Sequence, residues 1–404
     1  MAMDICEKYL ICVTGQNNNK YYKMIPNKDG STWTAEYGRV GQSSTSVSYP
    51  NSQFEKKYKE KIKKGYVDQT ELNKEDIDPE EEEGDGYKPI ANKVIAELVQ
   101  KLQNLARNVI KRNYTISATK VTVAMVDEAQ RIIDGMINIK TVKEFNDTLL
   151  KLFMTIPRSM GQVQNHLASS DNEFAKIIQR EQDLLDVMRG QVVVKAPVVK
   201  KDKQVANETI LEANGLVFED CDDSDIAKIK EALGESAGKL SRAWRVTNLA
   251  TQKKYDEYVA THNITNTKLL FHGSRNENWW SIINSGLVLR PTNAVINGKM
   301  FGYGLYFAPR AQKSIGYTSL SGSYWAGGNQ NFGFMALQEV AYGKPYDVHS
   351  FDSKYYNFDH NALEKACPGA NCLHAHAGTM LRNDEIIVYH QEQTTIKYLI
   401  EIKN

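Results

Sequence analysis

The C-terminal half of the chain places several polar residues where predicted strands begin or end. The run LLFHGS predicts a strand with His272, Gly273 and Ser274 at its C-terminal end, and RNDEIIVY places Glu385 at the start of a later strand. Tyr306 lies between them in FGYGLYFAPRAQKSIGY. These side chains could converge on a catalytic or ligand-binding site. The alternative is that the histidine is a structural hydrogen-bonding group and that the tyrosines belong to the core or its rim.

The FGYG run looks like the start of a phosphate-binding loop. Such a loop leads into a helix that carries a lysine and a hydroxyl. The residues that follow here, LYFA, are apolar and aromatic instead. We therefore expect no phosphate cradle in this segment.

A second group of candidate ligands lies in CPGANCLHAH. It could supply four zinc ligands, namely Cys367, Cys372, His374 and His376. The spacing differs from that of a standard zinc finger, and the alternative is that the two histidines only alternate on a strand. We expect no metal here.

The N-terminal residues 1–74 predict a small β-rich unit. Short strand-like runs, YLICV, YYKMI and STWTAEYGRVG, are separated by turn-forming residues. They are followed by a helical run, SQFEKKYKEKIKKGY, whose lysines crowd the faces outside its apolar stripe. These lysines are Lys56, Lys57, Lys59, Lys61, Lys63 and Lys64. They could bind an anion, or they could form an ordinary solvated helix face.

The composition then changes twice along the chain. Residues 75–88 are acidic and predict a linker, and residues 89–190 have helical periodicity that predicts a bundle. The predicted apolar stripe of the first helix is Ile90, Val94, Leu98, Leu102, Leu105 and Val109. Residues 191–206 predict a second linker, and residues 207–404 mix helices and strands. The last predicted strand alternates Ile396, Tyr398, Ile400 and Ile402 on one face.

Composition limits the class of protein. The chain has 404 residues, 41% hydrophobic and 25% charged, with a net charge of +1, which is ordinary for a soluble protein of two or three domains. Its five cysteines, the lack of a signal-like N-terminal run and the lack of an apolar run near 20 residues favour a reduced, intracellular protein. Nuclear location is expected in a eukaryote, and a cytoplasmic or nucleoid location in a bacterium.

Three segments resemble the catalytic domain of the poly(ADP-ribose) polymerase family. They are LLFHGSRNENWWSIINSGL, GKMFGYGLYFAPRAQKSIGYTS and NDEIIVYHQEQTTIKYLIEIK, with His272, Tyr306 and Glu385 in the order of the family's H-Y-E triad. YGRVG and the lysine helix resemble its WGR domain, and the helical block resembles its regulatory subdomain. The resemblance implies a multidomain α+β fold with a β-rich WGR domain, an all-α bundle and a mixed α/β ADP-ribosyltransferase domain with antiparallel sheets.

The resemblance also implies a site for NAD+ as substrate. The implied NAD-binding residues are His272, Gly273, Ser274, Asn278, Tyr306, Lys313, Ser314 and Tyr317. Gly273 and Ser314 would hold the nicotinamide carboxamide, Tyr317 would stack on the ring, and Tyr306 would line the opposite wall. Met300 matches a position near the acceptor. The family arginine after the GL dipeptide is Val288 here, and whether Arg290 replaces it is open.

For function, the resemblance implies a pentosyl transfer in which Glu385 is the principal catalyst, assisted by Tyr306 and His272. The implied reaction releases nicotinamide and builds poly(ADP-ribose) on protein acceptors, including the enzyme itself. Single transfer, or a DNA-end-binding scaffold with weak activity, are the alternatives. The implied partner is DNA with ends or breaks, contacted by Tyr37 and Arg39. DNA binding would relieve inhibition by the helical block, in a DNA damage response.

Overall fold

The computed structural model describes residues 5–73, 87–114, 121–192, 207–289, 300–324, 326–378 and 381–404. These residues form two compact units. The first unit comprises residues 5–73, 107–114 and 121–192, and the second comprises residues 87–106 and the described residues from 207 onward. Most of both predicted linkers and Arg290 lie outside the described residues. The predicted domain boundaries stay a prediction.

The first unit contains an antiparallel sheet with strand order β4-β3-β2-β1-β5. Its strands are β1 (Lys8–Thr14), β2 (Asn18–Pro26), β3 (Thr32–Arg39), β4 (Thr45–Pro50) and β5 (Val67–Asp68), and helix α1 (Phe54–Lys63) follows β4. Trp33 and Phe54 are buried together, with their ring centroids 5.3 Å apart. This contact packs α1 against the sheet. The strands and the lysine-rich helix predicted from the sequence are confirmed.

Helices complete the first unit. They are α2 (Lys93–Asn113), whose first part belongs to the second unit, α3 (Val123–Met136), α4 (Val142–Thr155) and α5 (Phe174–Val192). Thr122 and Thr141 cap α3 and α4 through their hydroxyls. Gly190 is buried inside α5, which continues to Val192, two residues into the segment predicted as a linker. Burial of Val192 keeps this last turn packed.

The buried face of α2 differs from the predicted stripe. Its buried apolar residues are Ile95, Leu98, Val99, Leu102, Ala106 and Ile110. Val94 is 38% exposed instead. A step of four residues advances about 40° beyond a full turn, so the predicted stripe, in which four of the five steps are of four residues, rotates away from the core.

The second unit is built on two sheets. The larger has the order β6-β7-β14-β10-β8 and is antiparallel, and the smaller has the order β11-β12-β13-β9. The strands are β6 (Leu216–Asp220), β7 (Leu240–Asn248), β8 (Lys268–Gly273), β9 (Leu305–Phe307), β10 (Phe332–Val340), β11 (Pro345–Val348), β12 (Cys372–Ala375), β13 (Glu385–Val388) and β14 (Thr394–Lys403). The pair β11–β12 is parallel, whereas antiparallel sheets were expected.

Helices flank these sheets. They are α6 (Ile210–Ala213), α7 (Asp223–Leu233), α8 (Leu249–Thr261), α9 (Trp279–Ser285), α10 (Ala311–Ile315) and α11 (His360–Ala366). Within the described parts of the chain, no helix has the length and apolar character needed to cross a membrane.

Strand β14 is buried on both faces, which corrects the predicted alternation. Tyr398, Ile400 and Ile402 lie in one core cluster, whereas Ile396 lies with Leu399 in another. The register against β10 shifts between Tyr398 and Ile396, so a β-bulge at this point turns Ile396 to the other face.

Candidate active site

The end of β8 lies against α10 because residue 273 is glycine. A Cβ atom at Gly273 would lie 1.9 Å from the backbone oxygen of Ser314, a distance that excludes any other residue. The preceding residue, His272, has its Nδ1 3.0 Å from the backbone oxygen of Tyr306. Burial lowers the pKa of His272, so its imidazole is held in the neutral form. Strand β8, strand β9 and helix α10 therefore meet at this point.

The tyrosine of β9 is tied to the turn before it. The Tyr306 hydroxyl accepts a hydrogen bond from the Phe301 N–H at 2.9 Å and donates one to the Gly302 carbonyl at 3.0 Å. Burial raises the pKa of Tyr306, and the negative charge of Glu385 raises it further. The phenol stays neutral and holds the turn in place.

Glu385 begins β13 and is 3% exposed. Its Oε1 lies 2.5 Å from the Lys313 Nζ of α10. Its Oε2 is buried and has no hydrogen-bond partner among the residues that the structure describes. Burial raises the pKa of Glu385, and the neighbouring Lys313 opposes that rise. The site thus holds a carboxylate with one oxygen anchored and the other ready to accept a donor.

An aromatic ring completes this group. Lys313 Nζ lies 5.9 Å from the centre of the Tyr317 ring. Burial, with a contribution from the charge of Glu385, raises the pKa of Tyr317 to about 12. Ser314, which is 4% exposed, accepts the Tyr317 N–H through its backbone oxygen. Tyr317 and Glu385 therefore both lie near the Lys313 ammonium group.

The remaining predicted NAD-binding residues lie between β8 and α9, because Ser274 directly follows β8 and Asn278 directly precedes α9. The Asn278 amide donates a hydrogen bond to the Ser274 hydroxyl at 3.0 Å. Met300 is partly buried against the core cluster that contains Phe301. The predicted catalytic and NAD-binding residues thus lie on β8, β9, β13 and α10 or on the segments that directly adjoin β8, α9 and α10.

The two glycines of FGYG allow neighbouring segments to pack closely against this turn. Gly302 has a φ of +74°, and a Cβ atom there would lie 2.0 Å from the Phe358 backbone oxygen. A Cβ atom at Gly304 would lie 2.1 Å from an Ile387 methyl group. Between them, Tyr303 donates a hydrogen bond to Asn357 at 2.6 Å. These contacts explain the glycine spacing without a phosphate.

The four suggested zinc ligands do not form one group. Cys372 is buried in one core cluster and Cys367 packs against another. His374 and His376 instead contact the carboxylates of Asp347 and Asp384. Sequence reasoning missed both aspartates, because the parallel pairing of Asp347 with His374 joins residues far apart along the chain.

In the first unit, Tyr37 and Arg39 are the predicted DNA contacts. The Tyr37 ring stacks on Tyr22 with centroids 5.6 Å apart. The Arg39 guanidinium donates hydrogen bonds to the Asn17 carbonyl at 2.9 Å and to the Gly161 carbonyl at 2.7 Å. Arg39 is therefore oriented by neighbouring backbone rather than extended into solvent.

Comparison with known proteins assigns both regions. A family model of the poly(ADP-ribose) polymerase catalytic domain matches residues 224–404, and a model of the WGR domain matches residues 7–73. The "Putative poly [ADP-ribose] polymerase-like 100L" of Invertebrate iridescent virus 6 is 31% identical over 173 residues, which cover 42% of this chain and 88% of that protein. The chain belongs to the poly(ADP-ribose) polymerase family.

Other similar proteins extend this relation within the family. "Poly [ADP-ribose] polymerase 2" of Homo sapiens is 22% identical over 457 residues, covering 96% of this chain and 77% of that protein. "Uncharacterized protein 101L" of Invertebrate iridescent virus 6 is 31% identical over 232 residues, covering 56% of this chain and 94% of that protein. As a poly(ADP-ribose) polymerase family member, the chain is an ADP-ribosyltransferase with NAD+ as its substrate. The predicted fold class and the WGR resemblance are confirmed.

Proposed function

We propose that this enzyme builds poly(ADP-ribose) on itself and on other proteins when DNA ends or breaks activate it. The observation that carries the chemistry is the buried Oε2 of Glu385, which has no hydrogen-bond partner within the described part of the chain, beside an Oε1 that Lys313 anchors. A buried hydrogen-bond acceptor without a donor costs free energy. A ligand hydroxyl that donates to this oxygen would remove that cost. The 2′-hydroxyl of the nicotinamide ribose supplies that donor.

The proposed reaction breaks the bond between ribose C1′ and the nicotinamide nitrogen. The bonding electrons leave with nicotinamide and neutralise its ring, while positive charge develops on the sugar, as in glycoside cleavage. The Glu385 carboxylate, holding the 2′-hydroxyl, stabilises that charge in a largely buried site. A hydroxyl oxygen of the acceptor then bonds to C1′, and its proton passes to solvent.

The nicotinamide ring is proposed to lie on Tyr317. Gly273 offers its backbone N–H and C=O at a point where only glycine fits against Ser314. The Ser314 hydroxyl would add a donor to the carboxamide, and Tyr306 would close the opposite wall. His272, Ser274 and Asn278 would bind the adenosine side. The neutral state that burial gives His272 suits a binding role.

Polymer rather than single transfer is proposed because Glu385 can hold a second hydroxyl in the same way. During elongation, the acceptor is itself an ADP-ribose hydroxyl, and a carboxylate can orient it. The same group thus serves both the initial transfer and the growth of the chain.

Activation by DNA is proposed from the WGR domain. Arg39 and the lysines of α1 would contact phosphates, and Tyr37 would contact a terminal sugar or base. Because Arg39 already donates to the Gly161 carbonyl, a bound phosphate would compete for the same guanidinium. DNA would bind more tightly to an open state, in which the helical block no longer excludes NAD+, than to the closed state. DNA binding would therefore shift the enzyme towards the open state.

The test measures NAD+ consumption by the purified protein with and without nicked or blunt-ended DNA, with the products separated on a gel. We expect a DNA-dependent smear of high mass. Glu385→Gln is expected to lower kcat by about 100-fold or more, because the charge that stabilises the sugar is lost. Glu364→Gln changes an exposed glutamate of α11 and serves as the matched control.

Each part of the proposal has its own contrary result. A single sharp shift in place of the smear would indicate single transfer. NAD+ turnover that does not change across a DNA titration would rule out activation by DNA. DNA binding without NAD+ consumption would indicate a scaffold.

A further inference from the structure

Two histidines lie side by side on one face of the smaller sheet of the second unit. His374 belongs to β12, and His376 follows two residues later, so both side chains emerge on the same side. Their ring centroids are 4.0 Å apart and their planes differ by 23°. His349, after β11, stacks on His376 at 4.4 Å. The imidazoles therefore form a preorganised row.

Each imidazole of the pair lies between the same two carboxylates. On one side, Asp347 Oδ1 lies 2.7 Å from His376 Nε2 and 3.8 Å from His374 Nδ1. On the other side, Asp384 Oδ2 lies 3.0 Å from His374 Nε2 and 3.8 Å from His376 Nδ1. One nitrogen of each ring thus faces Asp347, and the other faces Asp384.

The two carboxylates differ in their surroundings. Asp384 is anchored, because its Oδ1 accepts the Ala377 N–H at 2.7 Å. The Asp347 side chain is 48% exposed and is accessible from solvent. Among the described residues, neither carboxylate forms an ion pair with a lysine or an arginine. Two carboxylates therefore meet two imidazoles at a solvent-accessible point, where no lysine or arginine of the described residues pairs with them.

We propose that Asp347, His374 and His376 bind a late first-row divalent cation such as Zn²⁺. Their donor atoms lie within 4.8 Å of one another. Tetrahedral zinc with bonds near 2.0–2.1 Å places its ligand atoms about 3.3 Å apart. The separations of 2.7 and 3.8 Å from Asp347 bracket that value. Imidazole nitrogen and carboxylate oxygen are ligands that suit such ions.

Asp384 would not bind the metal itself but would orient one of its ligands, His374. When His374 coordinates through Nδ1, its Nε2–H remains donated to Asp384 at 3.0 Å. A carboxylate behind a metal-bound histidine fixes the tautomer and orients the ring. In coordinating the metal, His374 Nδ1 gives up its 2.8 Å contact with the Tyr342 hydroxyl. This assignment revises the expectation of no metal and leaves both cysteines of the CPGANC run out of the site.

The proposed site lies close to Glu385 along the chain but does not include it. Asp347 is on β11, His374 is on β12, and Asp384 directly precedes β13, which begins at Glu385. A bound ion would link these strands and stabilise the folded state in proportion to its occupancy. Binding and thermal stability can therefore be measured without NAD+ or DNA, independently of the proposed polymerase activity.

The test titrates Zn²⁺ into the metal-free, full-length protein by calorimetry in the absence of NAD+. We expect one ion per chain, with a rise in the melting temperature. Asp347→Asn and His376→Gln are each expected to weaken binding at least about tenfold. His360→Gln alters an exposed histidine outside the cluster and is expected to bind Zn²⁺ as the unaltered protein does.

Three results would overturn the proposal. The first is the absence of Zn²⁺ binding to the unaltered protein. The second is unchanged affinity in both Asp347→Asn and His376→Gln. The third is a loss of binding in Cys367→Ser together with unchanged binding in Asp347→Asn, which would place the ion at the cysteines. Because Asp347 is half exposed, its variant keeps the test valid even if a histidine variant folds poorly.

Discussion

At the scale of single residues, the site depends on how Glu385 is buried. A buried carboxylate favours its protonated form, and the pKa of Glu385 accordingly lies above its ordinary value of 4.5. Lys313 opposes this through a contact of 2.5 Å and holds the group closer to ionisation. Burial therefore favours the protonated form of Glu385, and Lys313 favours the negatively charged form that the proposed reaction requires.

The raised pKa of Glu385 predicts how the activity falls at low pH. If the carboxylate is the active form, kcat/KM for NAD+ falls as the pH falls through the raised pKa of Glu385, so the midpoint lies above pH 4.5. Lys313→Met removes the charge that lowers this pKa. We therefore expect its acid limb to move to higher pH, as measured by initial rates across a pH series with DNA at saturation.

The control for that series is Lys365→Met, an exposed lysine on α11 away from Glu385. Its acid limb should coincide with that of the unaltered enzyme. An unchanged limb in Lys313→Met would show that the lysine does not govern the ionisation of Glu385.

At the scale of elements, the turn before β9 aligns the site. Gly302 lets the backbone pass against Phe358, and the Tyr306 hydroxyl bonds both Phe301 and Gly302. Tyr306 pairs with Ile387 of β13, the strand that Glu385 begins. The turn and this strand pairing thus fix the position of Tyr306 relative to β13, the strand that begins at Glu385.

A comparison of two glycine variants measures how much a steric clash at this turn lowers the free energy of unfolding. Gly302 and Gly369 share a φ of +74°, but a Cβ atom would meet the Phe358 oxygen at 2.0 Å in the first case and nothing within 4 Å in the second. Both alanine variants carry the left-handed backbone cost of about 1–2 kcal/mol. Gly302→Ala is expected to lose about 1–3 kcal/mol more through overpacking, measured by urea denaturation. Equal losses would show that the turn can relax away from Phe358.

At the scale of the whole molecule, the proposed binding of DNA depends on the charge of the N-terminal domain. Part of the lysine helix is internally neutralised, since Lys59 pairs with Glu55 and Lys64 pairs with Glu60, each at 2.6 Å. Lys61 lies 4.0 Å from the Tyr22 ring, and burial lowers its pKa. The helix therefore presents less positive charge than its sequence indicates. We expect Arg39 to contribute correspondingly more to the proposed phosphate contacts.

The resulting prediction concerns the salt dependence of DNA binding. A plot of log affinity against log salt concentration should have a slope about one unit shallower in Arg39→Ala, because one phosphate contact is lost. Arg131→Ala, which removes an exposed arginine that pairs with Glu128, is the control and should leave the slope unchanged. Fluorescence anisotropy with a blunt-ended duplex measures both. Identical slopes for Arg39→Ala and the unaltered protein would contradict the predicted phosphate contact.

The sequence by itself determined the local features of this protein. The strands that end at Gly273 and begin at Glu385, the helix after Asn278 and the lysine helix follow from periodicity and turn residues, which act over a few neighbours. The order of His272, Tyr306 and Glu385 sufficed to indicate the family, because each family motif is a short, contiguous run.

Only the tertiary structure decided what joins residues distant along the chain. Strand order and register decide the Lys313–Glu385 contact and the parallel pairing that brings Asp347 to His374. They also leave Glu385 Oε2 without a hydrogen-bond partner among the residues that the structure describes. The bulge that turns Ile396 and the rotated face of α2 depend on packing. Local periodicity does not specify these features, because burial is set by whichever surfaces meet once the chain has folded.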